Sequence, residues 1–466
     1  MKNHNLGNKK AQTALKSEAP LLFPFISLRR EPFGALLFNP YLSIEKEFDE
    51  TGALIAESCD GAHTKEELAD ACQACFGMDR ESTVRKVEEV LTELRVACAI
   101  EFTGKGKPKR PPPSLYPAES NAALSAPKSV IWDVTYACNL SCPHCLTASG
   151  ARTVNELNTQ DACRLVDKLS EAQVLYLSLA GGEPLLRKDI LHILAHIAET
   201  GIRVDIATNG YALPSTLLRE FRELPIFHVQ VSLDGIGREH DAFRGRRGSF
   251  SRACNTLKRL KDEGLSTSVS TTATARNIGH LEEIVDLAAE LGCDAYKAIP
   301  FIPAGRGKSS AAALRLDRQS SLRMCKVLTE ASSRYRGRMS VEMESTYAFL
   351  LDPPAPSTDQ NGRMICSAGY DTLSVGADGT AYPCPFLHDF PLGNILHDPM
   401  DRIWHQSSVL ARMRLLDKTA MSGPCGTCEY APAYCRGGCR ASAYLDCGSL
   451  NGSDPLCFKG LTIPNR

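Results

Sequence analysis

Three cysteines on one short loop constrain this chain more than any other feature. Residues 130–136 are apolar and β-branched, which is typical of a buried strand. The loop after them carries Cys138, Cys142 and Cys145 in the spacing C-x3-C-x2-C. Such thiolates can hold three irons of a four-iron cluster. The next cysteine, Cys163, falls in an amphipathic run and fits a buried core position, so the fourth iron is predicted to keep an open position for a non-protein ligand.

Two other interpretations of the loop stay open from its residues alone. His144 could complete a four-ligand zinc site, or the three cysteines could be unrelated. The loop nevertheless resembles the cluster motif of the radical SAM superfamily, in which S-adenosylmethionine chelates the open iron through its amino and carboxylate groups. His144 stands where that family usually carries an aromatic residue. The resemblance implies S-adenosylmethionine and a [4Fe-4S] cluster as cofactors.

Composition favours a cytoplasmic globular protein of two to four domains. The 466 residues include 43% hydrophobic and 23% charged residues, and the net charge of −1 favours neither nucleic acid nor an acidic membrane as a partner. We find no apolar run of membrane-spanning length and no signal sequence. The 19 cysteines stand in groups with ligand-like spacing, which indicates metal binding rather than the disulfides of a secreted protein.

The N-terminal region is predicted to be a flexible tail, residues 1–19, followed by a small module, residues 20–103. Two short strands near residues 28–38 precede a helix from about Asp49, a second helix after Thr64 and a third around residues 84–94. This order suggests a winged-helix-like fold. Residues 20–102 hold 8 basic and 16 acidic residues, a charge of 8 − 16 = −8, which argues against a phosphate-binding surface.

Residues 54–68 of this module resemble the peptide-binding protein of the pyrroloquinoline-quinone pathway, also called the RiPP recognition element. The resemblance implies that the module binds the leader segment of a ribosomally made precursor peptide as an added strand. The alternative is a docking or dimerisation domain without a peptide ligand. Residues 104–128 are basic and proline-rich and are expected to form a stiff linker.

Strands alternate with helices through residues 129–310, which predicts an α/β fold with a partial (β/α)6 TIM-type barrel. Chemistry in such barrels lies at the C-terminal ends of the strands. The candidate residues fall at those ends: Gly181, Gly182, Glu183, Pro184, Thr208, Asn209, Ser232, Asp234 and Arg306.

The radical SAM resemblance assigns the Gly181–Pro184 segment to the amino group of S-adenosylmethionine. Hydroxyl and carboxylate groups at Ser232 and Asp234 suit ribose hydroxyls, and Thr208 and Asn209 are expected to face the same opening. Simple capping of strand ends is the alternative for these four residues. Arg306 is expected to meet a carboxylate of the cofactor or substrate, or to pair with a local acid.

Cysteine density rises again near the C-terminus. After a bridging helical segment, residues 311–360, the domain at residues 361–466 is predicted to contain a hairpin at Asp378-Gly379. It also carries seven candidate metal ligands: Cys366, Cys384, Cys425, Cys428, Cys435, Cys439 and Cys457. Their order resembles the SPASM domain, which binds two auxiliary four-iron clusters. The resemblance departs at one point, because six residues rather than five separate Cys428 from Cys435.

The SPASM resemblance implies two ligand sets. Cys425, Cys428, Cys435 and Cys457 would hold one cluster, and Cys366, Cys384 and Cys439 the other. The fourth position of the second cluster would take a non-cysteine ligand, borrow Cys447, or leave an iron open to substrate. Zinc is the alternative, since Cys425-x2-Cys428 by itself is a common zinc half-site.

Together these resemblances imply an enzyme with three [4Fe-4S] clusters, similar to the mycofactocin-type peptide maturases. It is expected to cleave S-adenosylmethionine reductively and to use the 5′-deoxyadenosyl radical to crosslink, decarboxylate or otherwise oxidise a precursor peptide. A low-potential donor such as flavodoxin or ferredoxin would supply the electron. The alternatives are a tetrapyrrole decarboxylase, a sulfatase-maturing enzyme and, without catalysis, an iron–sulfur electron carrier.

Overall fold

The computed structural model describes residues 18–104, 123–224, 226–343, 347–351 and 366–461. The chain divides into two compact units, Met1–Ser125 and Ala126–Arg466, and each has a hydrophobic core of its own. Three predicted features lie wholly or partly outside the described residues: the tail up to residue 17, most of the linker, and residues 344–346 and 352–360 of the bridging segment.

In its described residues, the first unit combines five strands with three helices. The strands β2 (Ser27–Glu31), β3 (Gly34–Asn39) and β4 (Ile44–Phe48) form an antiparallel sheet, and β1 (Glu18–Leu22) pairs with β5 (Ile100–Gly104). The sequence predicted only two of these strands and placed residues 18 and 19 in the tail. The pattern missed β4 because three of its five residues are charged, so it lacks the apolar alternation of a half-buried strand.

The three helices begin at side-chain caps, largely as predicted. They are α1 (Glu50–Glu57), α2 (Lys65–Phe76) and α3 (Arg80–Val96). Thr64 and Glu67 form the expected capping box, in which each side chain accepts a hydrogen bond from the other residue's backbone N–H. Leu residues of all three helices pack in one core, so the helices are fixed by apolar burial as well as by their caps.

Six parallel strands of the second unit confirm the predicted partial barrel. They follow one another across the sheet in chain order: β6 (Ser129–Thr135), β7 (Tyr176–Gly181), β8 (Arg203–Thr208), β9 (Ile226–Ser232), β10 (Thr267–Ala273) and β11 (Ala295–Pro300). The helices that connect or follow them are α4 (Thr159–Glu171), α5 (Ile190–Ala198), α6 (Ser215–Glu223), α7 (Arg238–Arg244), α8 (Ser249–Asp262) and α9 (Leu281–Glu290). Two of these helices, α6 and α7, were not predicted.

Side-chain alternation decides which strand residues face the helices. Trp132 and Val134 of β6 join the core with Leu165 and Leu169 of α4. Asp133 lies between them in sequence and therefore projects from the opposite face of the sheet. The same alternation places Ser232 of β9 opposite the core residue Val231.

The sheet continues beyond the barrel at both edges. The described part of the predicted bridging helical segment, residues 311–360, contains α10 (Gly307–Leu314) and α11 (Arg318–Arg334). The prediction was wrong at β12 (Ser340–Met343), which is a strand paired with β11. At the other edge, β13 (Thr372–Val375) pairs in parallel with β6.

The C-terminal region adds short elements after β13. The predicted hairpin at Asp378-Gly379 is present, with β14 (Thr380–Tyr382) antiparallel to β13 and β15 (Gly393–Asn394) antiparallel to β14. Three short helices complete the described chain: α12 (Met400–Trp404), α13 (Ser408–Arg414) and α14 (Arg440–Cys447). Within the described ranges, no helix is both long and apolar enough to cross a membrane.

Candidate active site and cysteine clusters

The first cysteine loop is closed at its base by the backbone. Cys138 N–H donates to the Gly150 carbonyl at 2.8 Å, and Gly150 N–H donates to the Tyr136 carbonyl at 3.0 Å. Because the loop leaves β6 at the C-terminal end of the strand, it lies where parallel barrels carry their chemistry. These two hydrogen bonds therefore fix the base of the loop, and the three cysteines belong to the loop that they close.

Each of the three thiols has a hydrogen-bond donor close to it. Ser149 N–H lies 3.3 Å from Cys145 Sγ, Asn209 Nδ2 lies 3.9 Å from Cys138 Sγ, and Arg244 Nη1 lies 3.8 Å from Cys142 Sγ. Donors favour the thiolate form that metal ligation requires. Burial raises the pKa of Cys138 and of Cys142, and bound iron would offset that cost. The donor set fits an iron–sulfur cluster.

The Gly181–Pro184 segment packs directly against the exit of β6. Gly182 N–H donates to the Thr135 carbonyl and Glu183 N–H to the Ala137 carbonyl, both at 2.8 Å. A Cβ atom at Gly182 would overlap the Ala137 carbonyl oxygen, and Gly181 has a φ of +113°. Glycine is therefore required at both positions by close backbone approach and by backbone conformation.

Glu183 forms one hydrogen-bonded group with two other predicted cofactor residues, Thr208 and Asn209. Its buried carboxylate accepts bonds from Thr208 Oγ1 and Asn209 N–H, each at 2.7 Å. It also accepts one from Leu185 N–H at 3.1 Å. Burial raises the pKa of Glu183 despite these donors. Asn209 then reaches the cysteine loop through a 2.8 Å bond from Nδ2 to Asn139 Oδ1, so the ends of β7 and β8 are tied to the loop.

Asp234 and Ser232, which were predicted together as contacts for ribose hydroxyls, differ in burial and in partners. Ser232 is half-buried at the end of β9, whereas Asp234 is 1% exposed and pairs with Arg244 Nη2 at 2.6 Å. Burial alone would raise the pKa of Asp234, but Arg244 and His144 hold it below its usual value. The Asp234 carboxylate is thus engaged by the protein beneath the loop, and contact with a ribose hydroxyl remains only a prediction.

Sequence reasoning missed Arg244 and the packing of His144. Arg244 is buried and links Asp234 to Cys142. His144 stacks on Phe243 with ring centroids 4.5 Å apart, and burial lowers its pKa to about 4. Nothing in the sequence motif marks Arg244, because it comes from α7, more than ninety residues after the loop.

Arg306 holds the cysteine loop from its other side. Its backbone N–H donates to the Cys145 carbonyl at 2.9 Å, and its guanidinium donates to the Ser149 carbonyl. Both contacts are to backbone carbonyls, whereas the sequence predicted a carboxylate partner. The contacts of Arg306 in this structure therefore position the loop.

Four C-terminal cysteines line one cavity. They are Cys425, Cys428, Cys435 and Cys457, the set that the SPASM resemblance implies for one auxiliary cluster. Tyr347, Phe349 and Tyr430 are among the apolar residues that complete the wall. The residue inserted between Cys428 and Cys435 has not moved either cysteine out of the group. A cavity with four thiols fits a cubane cluster with complete cysteine ligation.

The remaining three cysteines lie together in a separate apolar cluster. Cys366, Cys384 and Cys439 pack against Leu387 and Met413. Burial, with Asp454 and Cys366 nearby, raises the pKa of Cys439 to about 12. Cys439 caps the start of α14, whereas Cys447 is the last residue of that helix and is exposed. Because Cys447 lies at the opposite end of α14, we assign it no place in this group.

Comparisons with known proteins agree with this geometry. Residues 132–288 match the radical SAM superfamily, residues 366–429 match an iron–sulfur cluster-binding domain called SPASM, and residues 42–100 match coenzyme PQQ synthesis protein D. The chain is 32% identical over 346 residues to a mycofactocin maturase of Mycobacterium tuberculosis, covering 73% of this chain and 85% of that protein. It is 30% identical over 353 residues to an AdoMet-dependent heme synthase of Methanosarcina barkeri, covering 72% and 98%.

Two solved structures share the fold at lower sequence identity. Streptococcus suis SuiB bound to S-adenosylmethionine gives a TM-score of 0.69 at 17% identity, covering 94% of this chain and 99% of that one. The enzyme anSMEcpe with bound AdoMet gives 0.55 at 19% identity, covering 71% and 93%. The chain belongs to the radical SAM superfamily and, within it, to the enzymes that carry a SPASM domain. It is an enzyme that uses S-adenosylmethionine and iron–sulfur clusters.

Proposed function

We propose that this enzyme oxidatively modifies a ribosomally synthesised precursor peptide whose leader segment is bound by the first unit. One observation carries the proposal. The match to coenzyme PQQ synthesis protein D falls on a separately folded unit with its own core, attached to a radical SAM and SPASM chain. The mycofactocin maturase, and the structure of Streptococcus suis SuiB bound to its precursor peptide SuiA, which shares the fold, support a peptide as substrate.

The first unit has the structural means to take an added strand. Its sheet has the order β2-β3-β4, so in the described part of the chain β2 and β4 each keep one edge without a strand partner. An extended peptide can pair with such an edge through its main chain. The charge of −8 across residues 20–102 would favour a leader that carries lysine or arginine. The competing hypothesis of a docking or dimerisation domain makes no such demand on the substrate.

The second unit would hold the cofactors. Cys138, Cys142 and Cys145 would ligate one [4Fe-4S] cluster, and the SPASM cysteines two more. Residues Gly181–Pro184, Thr208, Asn209 and Ser232 would bind S-adenosylmethionine, with Asp234 and Arg306 supporting the loop. When bound, these groups supply a 5′-deoxyadenosyl radical that removes a hydrogen atom from the substrate. We place the enzyme in the reducing cytoplasm, with flavodoxin or ferredoxin as electron donor.

The test is anaerobic reconstitution followed by reaction with S-adenosylmethionine, reductant and short peptides encoded beside the gene. Mass spectrometry should find 5′-deoxyadenosine together with a change in peptide mass that depends on the leader. If 5′-deoxyadenosine forms but no leader-bearing peptide changes mass, the peptide proposal fails.

A tetrapyrrole decarboxylase is the second candidate. The heme synthase of Methanosarcina barkeri matches over 98% of its own length, which favours this reading of the second unit. A tetrapyrrole substrate gives the first unit no role, however. Turnover of an iron-coproporphyrin substrate without any leader-bearing peptide would move this candidate to the front.

A further inference from the structure

Three exposed arginines lie beside the first cysteine loop. Arg246, Arg247 and Arg252, which we call the arginine patch, are all exposed. Arg246 and Arg252 lie over the ring of Tyr211, at 4.3 and 4.4 Å from its centroid. In the described part of the chain, no carboxylate forms an ion pair with any of the three arginines. Their positive charges therefore remain available at the surface.

The patch is in direct contact with the loop that carries Cys138 and Cys142. Arg246 Nη1 donates to the Asn139 carbonyl at 2.8 Å. Just before it in sequence, Gly245 lies against Ser141, and Cys142 Sγ lies 3.9 Å from the Arg244 carbonyl. An electron that enters through this surface would have only a few atoms of protein to cross before it reaches the cysteine ligands.

Local charge at this position differs from that of the whole chain. Residues 236–252 contain two acidic residues and five arginines, of which only Arg244 is buried and paired with Asp234, whereas the whole chain carries −1. Asp241, one of the two acids, is occupied by Gly248 N–H at 2.6 Å and Phe250 N–H at 2.8 Å. The loop itself, residues 138–150, contains no lysine, arginine, aspartate or glutamate. The surface over the loop is therefore positive and is not balanced locally.

We propose that the arginine patch is the docking surface for an acidic, low-potential one-electron carrier protein. The inference rests on the proposed function, because it names the surface that receives the donor. One electron leaves the reduced carrier and enters the cluster held by Cys138, Cys142 and Cys145, with no bond or proton changed. Complementary charge steers such encounters and raises their rate. The patch lies close to the cysteine ligands, and this favours an electron carrier as its partner, because electron transfer slows steeply with distance.

The test compares two reductants on the same variant. Arg247→Glu/Arg252→Glu reverses two charges without touching Arg246, which contacts the loop. The rate of 5′-deoxyadenosine formation without peptide should fall about tenfold or more at low salt when reduced flavodoxin or ferredoxin is the donor. The rate with dithionite should not change. Binding of oxidised flavodoxin, followed by its flavin fluorescence, should weaken by a similar factor, and high salt should remove the difference.

A matched control uses two exposed arginines elsewhere in the second unit. Arg323→Glu/Arg336→Glu should keep the rate with every donor. An equal loss with dithionite in the patch variant would mean a damaged site and overturn the proposal. Unchanged rates and carrier binding would overturn it too, as would weaker binding of the leader peptide with donor-driven cleavage intact. Because the assay contains no peptide, it tests the docking surface even if the peptide proposal is wrong.

Discussion

Asp133 is a buried carboxyl group that the described structure leaves partly uncompensated. The residue is 3% exposed, and among described residues its Oδ2 has no hydrogen-bond partner. Burial raises the pKa of Asp133 to about 7. Its charge in turn helps to raise the pKa of Tyr136 and of Tyr382. The carboxyl is therefore neutral at low pH and costly to ionise at high pH.

Replacing Asp133 with asparagine should remove a pH-dependent loss of stability. Since the native pKa of about 7 exceeds the unfolded value of about 3.9, native protein binds this proton more tightly between those limits. The Asp133 contribution to stability is thus full below pH 4 and is lost as pH rises through 7. At about 1.4 kcal/mol per pKa unit, this contribution to the free energy of unfolding has an upper bound of about 4 kcal/mol. Measured without oxygen, the unfolding midpoint of Asp133→Asn should exceed that of the wild type by an amount that grows from pH 4.5 to pH 8. A constant difference between the two midpoints across this pH range would contradict the prediction.

Lys459 is placed to adjust one auxiliary cluster. Its Nζ lies 3.5 Å from Cys428 Sγ and 3.0 Å from Glu429. A positive donor at a ligand sulfur stabilises the reduced cluster, because reduction adds negative charge. Lys459→Met should therefore lower the reduction potential of that cluster by tens of millivolts, measured by EPR-monitored titration. Arg412→Met, which removes an exposed charge bonded to Asn451, should leave the potential unchanged.

At the scale of elements, the junction of β6 and β7 depends on glycine. Gly182→Ala would drive a Cβ atom into the Ala137 carbonyl and displace the loop that carries the first cysteines. We expect S-adenosylmethionine to bind at least about tenfold more weakly, as measured by equilibrium dialysis of the reconstituted protein. Gly279→Ala is the matched control, because a Cβ there meets no atom within 4 Å. Equal affinities in the two variants would show that the close approach is not needed.

The sequence predicted elements whose signals are local. The capping box at Thr64, the six barrel strands and the hairpin at Asp378 each follow from neighbouring residues. The strand β12 was missed because it is only four residues long and lies within a stretch that was predicted to be helical. The ion pair of Arg244 with Asp234 was missed because no spacing in the sequence marks it; it depends on how α7 packs beneath the end of β9. The seven C-terminal cysteines could be grouped only through the resemblance. The structure places four of them along one cavity and the other three in one apolar cluster, and their roles as cluster ligands stay a prediction.

At the scale of the whole molecule, three cysteine groups should bind iron independently. The first group lies on the loop after β6, and the other two lie in the C-terminal region with contacts of their own. Replacing Cys138, Cys142 and Cys145 with alanine should remove roughly a third of the bound iron and all cleavage of S-adenosylmethionine. Iron analysis and 5′-deoxyadenosine assay check this. Persisting cleavage in the triple variant would refute the assignment of the radical-forming cluster.

The two compact units should divide recognition from chemistry. Because each unit has its own core, deleting residues 1–103 should leave the second unit folded and able to cleave S-adenosylmethionine without peptide. The same deletion should abolish turnover of a leader-bearing peptide, since the leader would lose its binding unit. The full-length enzyme given a peptide without its leader is the matched control and should show the same defect. If the shortened enzyme modifies the leader-bearing peptide at the rate of the full-length enzyme, the first unit does not recognise the substrate. That outcome would favour the tetrapyrrole decarboxylase.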